Sequence, residues 1–187
     1  MPMSSSRDVQ LTSNSRLVFL TLLALLLLGL MTTGCIRSVD RGVWASGRIL
    51  EMNVKKIQKV DHVAYTDRGK HYVVRTDKPG HFLTVAQVTI RNEMASRVLL
   101  KVDQEAAYLE DQMHQRYLPV DPFTQREEIK APLEGQDTHI PLLWRNIELP
   151  LDFQLSGWLI FEVPEDAELL ALQWSQGDRM RADISSY

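Results

Sequence analysis

The sequence predicts an all-β fold: an Ig-like antiparallel β-sandwich of about seven to nine strands, preceded by a helical signal peptide. Three observations carry this expectation. Beyond residue 50, apolar and polar residues alternate with a period of two in several short windows, the pattern of strands buried on one face. Turn-forming residues separate those windows, as in Asp77-Lys78-Pro79-Gly80, where proline fixes φ and glycine supplies a positive φ. Helical periodicity is scarce after the leader, and only TQREEIK (124–130) reads as one short helical turn.

Residues 1–34 differ from the rest. Arg7, Asp8 and Arg16 are their only charges, and residues 17–31 (LVFLTLLALLLLGLM) carry none. A spanning helix needs about 20 apolar residues, whereas signal-peptide apolar regions run about 7–15 and end in small residues. The segment fits the second description. It closes on Thr32-Thr33-Gly34-Cys35, which resembles the lipobox, the cleavage site of bacterial lipoproteins. That resemblance implies a diacylglyceryl thioether on Cys35, cleavage before it, and acylation of the new amino group. Thr32 stands where the class usually has leucine. An uncleaved helical anchor and a soluble product with an unused cysteine are the alternative readings. Ile36, not aspartate, follows the cysteine. By resemblance to lipoprotein sorting in enteric bacteria, this favours an outer membrane, with the domain facing the periplasm, over the inner membrane.

The chain therefore divides into a lipoprotein signal peptide (1–34), a lipidated tether (35–50) and an Ig-like domain (51–187). Gly, Ser, Arg and isolated apolar residues without a period make up the tether, with Trp44 as its one large aromatic. With one cysteine in the chain, no intramolecular disulfide forms. The net charge is −3, and no Lys/Arg block exceeds a pair, so nucleic acid is excluded as an electrostatic partner.

Within the domain the strands are read in order. VKKIQKV (54–60) is a weak window carrying Val54, Ile57 and Val60. HYVVRT (71–76) follows, then the strongest, HFLTVAQVTIRN (81–92). In that strand Phe82, Thr84, Ala86, Val88 and Ile90 share one face. Leu83, Val85, Gln87, Thr89 and Arg91 share the other, which turns from apolar to polar along its length. Such a strand runs from a region covered on both sides to one with a face toward solvent. RVLLKV (97–102) places Val98, Leu100 and Val102 together, and AAYLED (106–111) and RYLPV (116–120) flank the polar turn QMHQ. THIPLLW (138–144), GWLIFEV (157–163), ALQW (171–174) and RMRADI (179–184) complete the series.

The order of these elements resembles a bacterial family, the telokin-like, immunoglobulin-like domain of unknown function found on secreted and lipid-anchored proteins. The residues that carry the resemblance are Asn92 at a strand end, Leu109 and Asp111 before a polar turn, Tyr117 after it, and Gly157, Phe161, Val163 and Pro164. It covers about residues 80–175. A sandwich scaffold is implied, and no activity, because the family shares a fold without a known common function.

Candidate chemistry is thin. None of His62, His71, His81, His114 and His139 has the helical spacing of a zinc motif. His81, Met94, Met113 and His114 form an alternative, a copper(I) site, because thioether and imidazole suit that ion. No Gly-x-Ser-x-Gly elbow is present, and the sole cysteine is committed to the leader, so no catalytic residue and no cofactor are expected. Acidic pairs such as Glu110-Asp111 read as solvated turns. The apolar segment IPLLWRNIELPLDF (140–153) is a cover for the sandwich end or, if exposed, a binding surface carrying Trp144, Ile147, Leu149 and Phe153. The expected function is non-enzymatic binding or scaffolding at a membrane surface, with the membrane as partner through Cys35 and an envelope protein as candidate partner. The alternatives are periplasmic copper handling and a structural subunit of an envelope complex.

Overall fold

HFLTVAQVTIRN forms a strand with the bounds its alternation predicts, and the rest of the fold is laid on its two faces. The computed structural model describes residues 42–185; the expected signal peptide, Cys35 and residues 36–41 of the expected tether lie outside them. In chain order the strands are β1 (Val43–Ser46), β2 (Leu50–Val60), β3 (His62–Asp67), β4 (Lys70–Arg75), β5 (His81–Asn92), β6 (Arg97–Val102) and β7 (Ala107–Asp111). They continue with β8 (Arg116–Tyr117), β9 (Glu127–Ile129), β10 (Arg145–Pro150), β11 (Gln154–Pro164), β12 (Leu169–Trp174) and β13 (Met180–Asp183).

Every strand pair is antiparallel. The central sheet runs β1-β2-β5-β11, the facing sheet β13-β12-β7-β8, and the pair β10-β6 and the sheet β3-β4-β9 complete the set. Two cores result. The main core lies between the central and facing sheets, with Val88, Ile90 and Phe161 on one side and Leu109, Leu172 and Trp174 on the other. Val98, Leu100 and Leu149 of the β6–β10 pair enter the same core. The second core lies on the outer face of the central sheet. There Leu83, Val85, Trp158 and Ile160 meet Val63, Tyr65 and Val74 of the β3–β4 hairpin. The hairpin turns on Arg68 and Gly69, both at positive φ, the two-residue turn whose twist matches the strands.

Thirteen strands among the described residues exceed the expected number, and β3 lies in a stretch the sequence reading passed over. Part of the expected tether is strand: β1 pairs with β2 from Val43–Val54 to Ser46–Glu51, and Ala45 and Leu50 are buried in the main core. Isolated apolar residues suffice there because the partner strand supplies the register. The weak period of 54–60 comes from a β-bulge between Val54 and Lys56, which shifts the alternation by one residue. Ile57 thereby packs on the main core and Val60 on the second.

Two expected elements change type. TQREEIK keeps a single helical bond, Gln125 N–H to Asp121 O at 3.1 Å, and then becomes β9, paired with β4 through Glu127–Val73 and Ile129–His71. A one-turn helix is marginal, and the β4 edge offers its backbone groups a ladder instead. THIPLLW is not a strand; the strand is β10, immediately after it. Pro141 has no N–H to give a ladder. The segment instead borders the free edge of β11, with Trp158 N–H to Pro141 O and Leu143 N–H to Trp158 O, both 2.9 Å. Gly157 permits this approach, since a Cβ there would lie 2.5 Å from Pro141 O. Val120 N–H to Ile160 O at 2.7 Å covers a further part of the same edge.

Candidate functional site

The four residues proposed from sequence as a binding surface do not share one. Leu149 is 3% exposed and belongs to the main core, and Ile147 packs against it from β10. Trp144 is half-buried at the start of β10. Only Phe153 stands in solvent, 63% exposed. The alternation of β10 explains the split: Ile147 and Leu149 point inward, and Pro150 ends the strand before Phe153. Leu143, Ile147 and Leu149 of this segment cover the core, whereas Ile140, Leu151 and Phe153 remain exposed.

Phe153 has other company. The turn 150–153 and the turn 93–96 between β5 and β6 meet at one end of the sandwich. Asn92 N–H donates to Phe153 O at 3.0 Å, Asp152 N–H to Asn92 O at 2.8 Å and Leu151 N–H to Ser96 O at 3.2 Å. Asn92 is fully buried beneath, its Nδ2 donating to Ala95 O at 2.7 Å and Leu149 O at 3.0 Å while its Oδ1 accepts from Ala95 N–H. Each polar atom of the buried amide is thus used. This clamp is the reason for asparagine at the strand end. On its surface Met94, Leu151 and Phe153 are exposed. Sequence reading singled out Phe153 and Met94 for different sites; their proximity has no local signature.

The copper(I) alternative is not assembled. His81 and Met94 flank the two ends of β5, separated by about 35 Å of extended chain. Met113 is 79% exposed at the tip of the β7–β8 turn. His114, beside it, contacts Glu110 Oε1 through Nδ1 at 2.7 Å. His81 Nδ1 lies 3.2 Å from Pro79 O. Among the described residues no group of three His, Cys, Asp or Glu converges for a metal.

Glu110 and Asp111 are a correction to the solvated-turn reading, because both are buried. Glu110 Oε2 accepts from Arg181 Nη1 at 2.8 Å and from Gln173 Nε2. With Arg181 and His114 bonded to it, the carboxyl is held down at about 2. Asp111 Oδ1 accepts from Met113 N–H and Gln115 N–H, both at 2.9 Å, and its Oδ2 accepts from Tyr117 O–H at 2.6 Å. Burial first, then this bond to Asp111, pushes the Tyr117 phenol up to about 12. The Leu-Asp-turn-Tyr pattern is therefore a hairpin lock. Beside it, Tyr108, Arg116, Gln173, Arg179 and Arg181 line a groove of about 470 Å³. Arg116 lies over the Tyr108 ring at 4.7 Å and Arg181 is spent on Glu110, so the groove is largely satisfied from within.

Cys35 lies outside the described residues, so no geometry bears on it. No protein-family model and no curated protein matches the chain, and the resemblance to the telokin-like family rests on its residues alone. Solved structures similar to it include the yjhA protein of Bacillus subtilis, at 15% identity and a TM-score of 0.46 over 73% of this chain and 82% of that one. A candidate lipoprotein, ycdA of Bacillus subtilis subsp. subtilis str. 168, is 12% identical with a TM-score of 0.46, covering 76% of this chain and 38% of its own. An uncharacterized β-sandwich protein of Clostridium difficile 630 is 13% identical with a TM-score of 0.43, over 74% and 87%. At these scores the likenesses add nothing to what the sheets themselves show.

Proposed function

We propose that the chain is a lipid-anchored protein of a bacterial envelope, whose β-sandwich binds or scaffolds at the membrane surface without catalysing a reaction. One observation carries this: the uncharged apolar run 17–31 ends on Thr-Thr-Gly-Cys, and the first strand of the sandwich begins as close behind as Val43. A leader, an attachment point and a folded domain thus follow one another with only residues 36–42 between the last two. Two or three acyl chains on Cys35, at about 0.8 kcal/mol per buried CH₂, hold such a domain on a bilayer stably. Held there, a weak contact from a loop or strand edge gains from a raised effective concentration of its partner. An outer membrane is the favoured location within this reading, on the identity of Ile36.

The test is mass spectrometry of the mature protein extracted from membranes. The expected product begins at Cys35 and carries a diacylglyceryl group and an N-acyl chain. Cys35→Ser is expected to leave the precursor uncleaved. An unmodified Cys35 in an intact chain overturns the lipoprotein reading and leaves the uncleaved anchor.

A further inference from the structure

We propose that the groove on the outer face of the facing sheet is an anion site, in which Arg116, Arg179 and Arg181 hold a phosphate group. The proposal goes beyond the lipid-anchor reading and does not depend on it.

Strand register builds the site. β13 and β8 are the edges of the facing sheet, with β12 and β7 between them. Leu109, Leu172 and Ala182 point into the main core, so Tyr108, Gln173 and Arg181 point the other way. Arg181 is level with Gln173, and Gln173 with Tyr108, so the three form one row across β13, β12 and β7. Glu110 lies two residues along β7 on the same face, level with Arg116 of β8. The two edge arginines lean inward from opposite sides. Arg181 Nη1 reaches Glu110 Oε2 at 2.8 Å, and the Arg116 guanidinium lies 4.7 Å from the centre of the Tyr108 ring. Arg179 lines the groove where the chain enters β13. Buried Glu110, bonded also to Gln173 and His114, fixes the Arg181 head in place.

The contacts within the groove leave a surplus, and it is positive. Three guanidinium groups line it and one carboxylate, that of Glu110, answers them, which leaves two positive charges over. Among the described residues Arg116 and Arg179 form no ion pair. The acids beside β13 are turned elsewhere: Asp178 accepts from the Ile49 and Leu50 N–H groups, and Asp183 from the Ser185 N–H. A guanidinium donates and cannot accept. Arg116 gives its face to Tyr108, which leaves its in-plane N–H groups for a ligand. The matching ligand is rich in acceptor oxygens and carries two charges. A phosphate monoester carries about −1.5 to −2 near neutral pH, whereas a single carboxylate offsets only half the surplus. At about 470 Å³ the groove has room for a phosphate with a small group esterified to it.

The experiment titrates the full chain, in micelles of a non-ionic detergent at low salt, with inorganic phosphate by calorimetry. Binding is expected at about 1 mM or tighter, and at least about tenfold weaker for acetate. Arg116→Gln and Arg179→Gln are each expected to weaken phosphate about five- to tenfold. Both positions are exposed, so the urea midpoint should stay where it is. Arg145→Gln, exposed on β10 and outside the groove, should leave phosphate binding unchanged. No phosphate binding, or an affinity equal to that for acetate, overturns the site. So does equal weakening by all three substitutions, which would assign the attraction to net charge alone. Phosphatidic acid in the micelles and glycerol 1-phosphate in solution then compete separately with phosphate. Competition by the lipid names a headgroup as the source; competition by the ester alone names a soluble ligand. Either upholds the site.

Discussion

Ile160 and Phe161 are neighbours in β11 and lie in different cores. Phe161 points into the main core between two four-stranded sheets; Ile160 points into the second, under the β3–β4 hairpin. The main core is filled by alternating apolar strands from both sheets, with the Asn92 and Glu110–Arg181 contacts at its margins. The second is smaller and is clasped by polar contacts. Tyr65 O–H donates to Pro122 O at 2.5 Å, and Arg126 Nη1 donates to that phenol oxygen at 3.1 Å and to Asp67 at 3.0 Å. The Arg126 guanidinium also lies 3.8 Å over the Tyr72 ring. Asp137 accepts from the Thr66 N–H and hydroxyl at 2.6 and 2.8 Å, and His139 meets the Trp158 ring edge-on at 4.8 Å. Apolar area dominates one side of the central sheet; on the other, fewer apolar contacts are supplemented by long-range polar ones. The outer hairpin layer is then the part expected to open first.

The sharpest way to break this contrast is to truncate the two neighbours. Phe161→Ala is expected to cost ~3–5 kcal/mol of global stability in urea unfolding. Ile160→Ala, a smaller loss of about 2–3 kcal/mol, is expected to raise amide exchange in β3 and β4 well above that of β7 and β12. Equal exchange in all four strands would mean the two cores unfold as one unit. Gly157→Ala sets a Cβ against Pro141 O and should lower the midpoint by the equivalent of ~1–3 kcal/mol, loosening 141–143 from the β11 edge.

Tyr117→Phe removes the bond to Asp111 and is expected to cost ~1–2 kcal/mol, with the facing sheet affected and the outer hairpin unchanged. In the native protein this phenol ionises at about 12, above its ordinary 10. Its contribution is therefore complete below 10 and lost as pH rises through 12, which ultraviolet titration reads directly.

Acid gives the gentlest test. Burial, with Lys56 and His62 nearby, lowers the His139 pKa below 6.5. Folding thus favours neutral His139, whose contribution is present above 6.5 and declines as pH falls through the folded value. Glu110, depressed from 4.5 to about 2, loses its contribution only between those values. Protection factors in β3 and β4, taken relative to the intrinsic exchange rate at each pH, should accordingly fall as pH drops from 7 to 5, while those of β7 and β12 hold until below 4.5. An outer layer as acid-resistant as the facing sheet would remove His139 from the account.

Much of this was legible in the sequence. The alternation of β5 gave both faces, and its outer one does pass from Leu83 and Val85 in the second core to half-exposed Gln87 and Arg91. Thr89 is the exception on that face: it is buried, its hydroxyl 2.8 Å from that of Ser156. β6 and the Asn92 and Asp111–Tyr117 positions were equally readable. β2 was blurred by its bulge, β9 by a helix-like composition that a neighbouring edge overrode, and β1 by its shortness. The buried Glu110 was hidden because Arg181 and Gln173, which satisfy it, come from strands far along the chain.

The sequence by itself determined that the chain is built of antiparallel strands and that an uncharged apolar run lies just ahead of the only cysteine, because alternation, turn residues and charge-free runs are local properties. Tertiary structure decided which face of the central sheet receives which layer, why Glu110 is buried, and that Met94, Leu151 and Phe153 share one end. Those outcomes depend on segments about 50 residues or more apart meeting across a sheet, and a spacing along the chain does not encode which partner arrives.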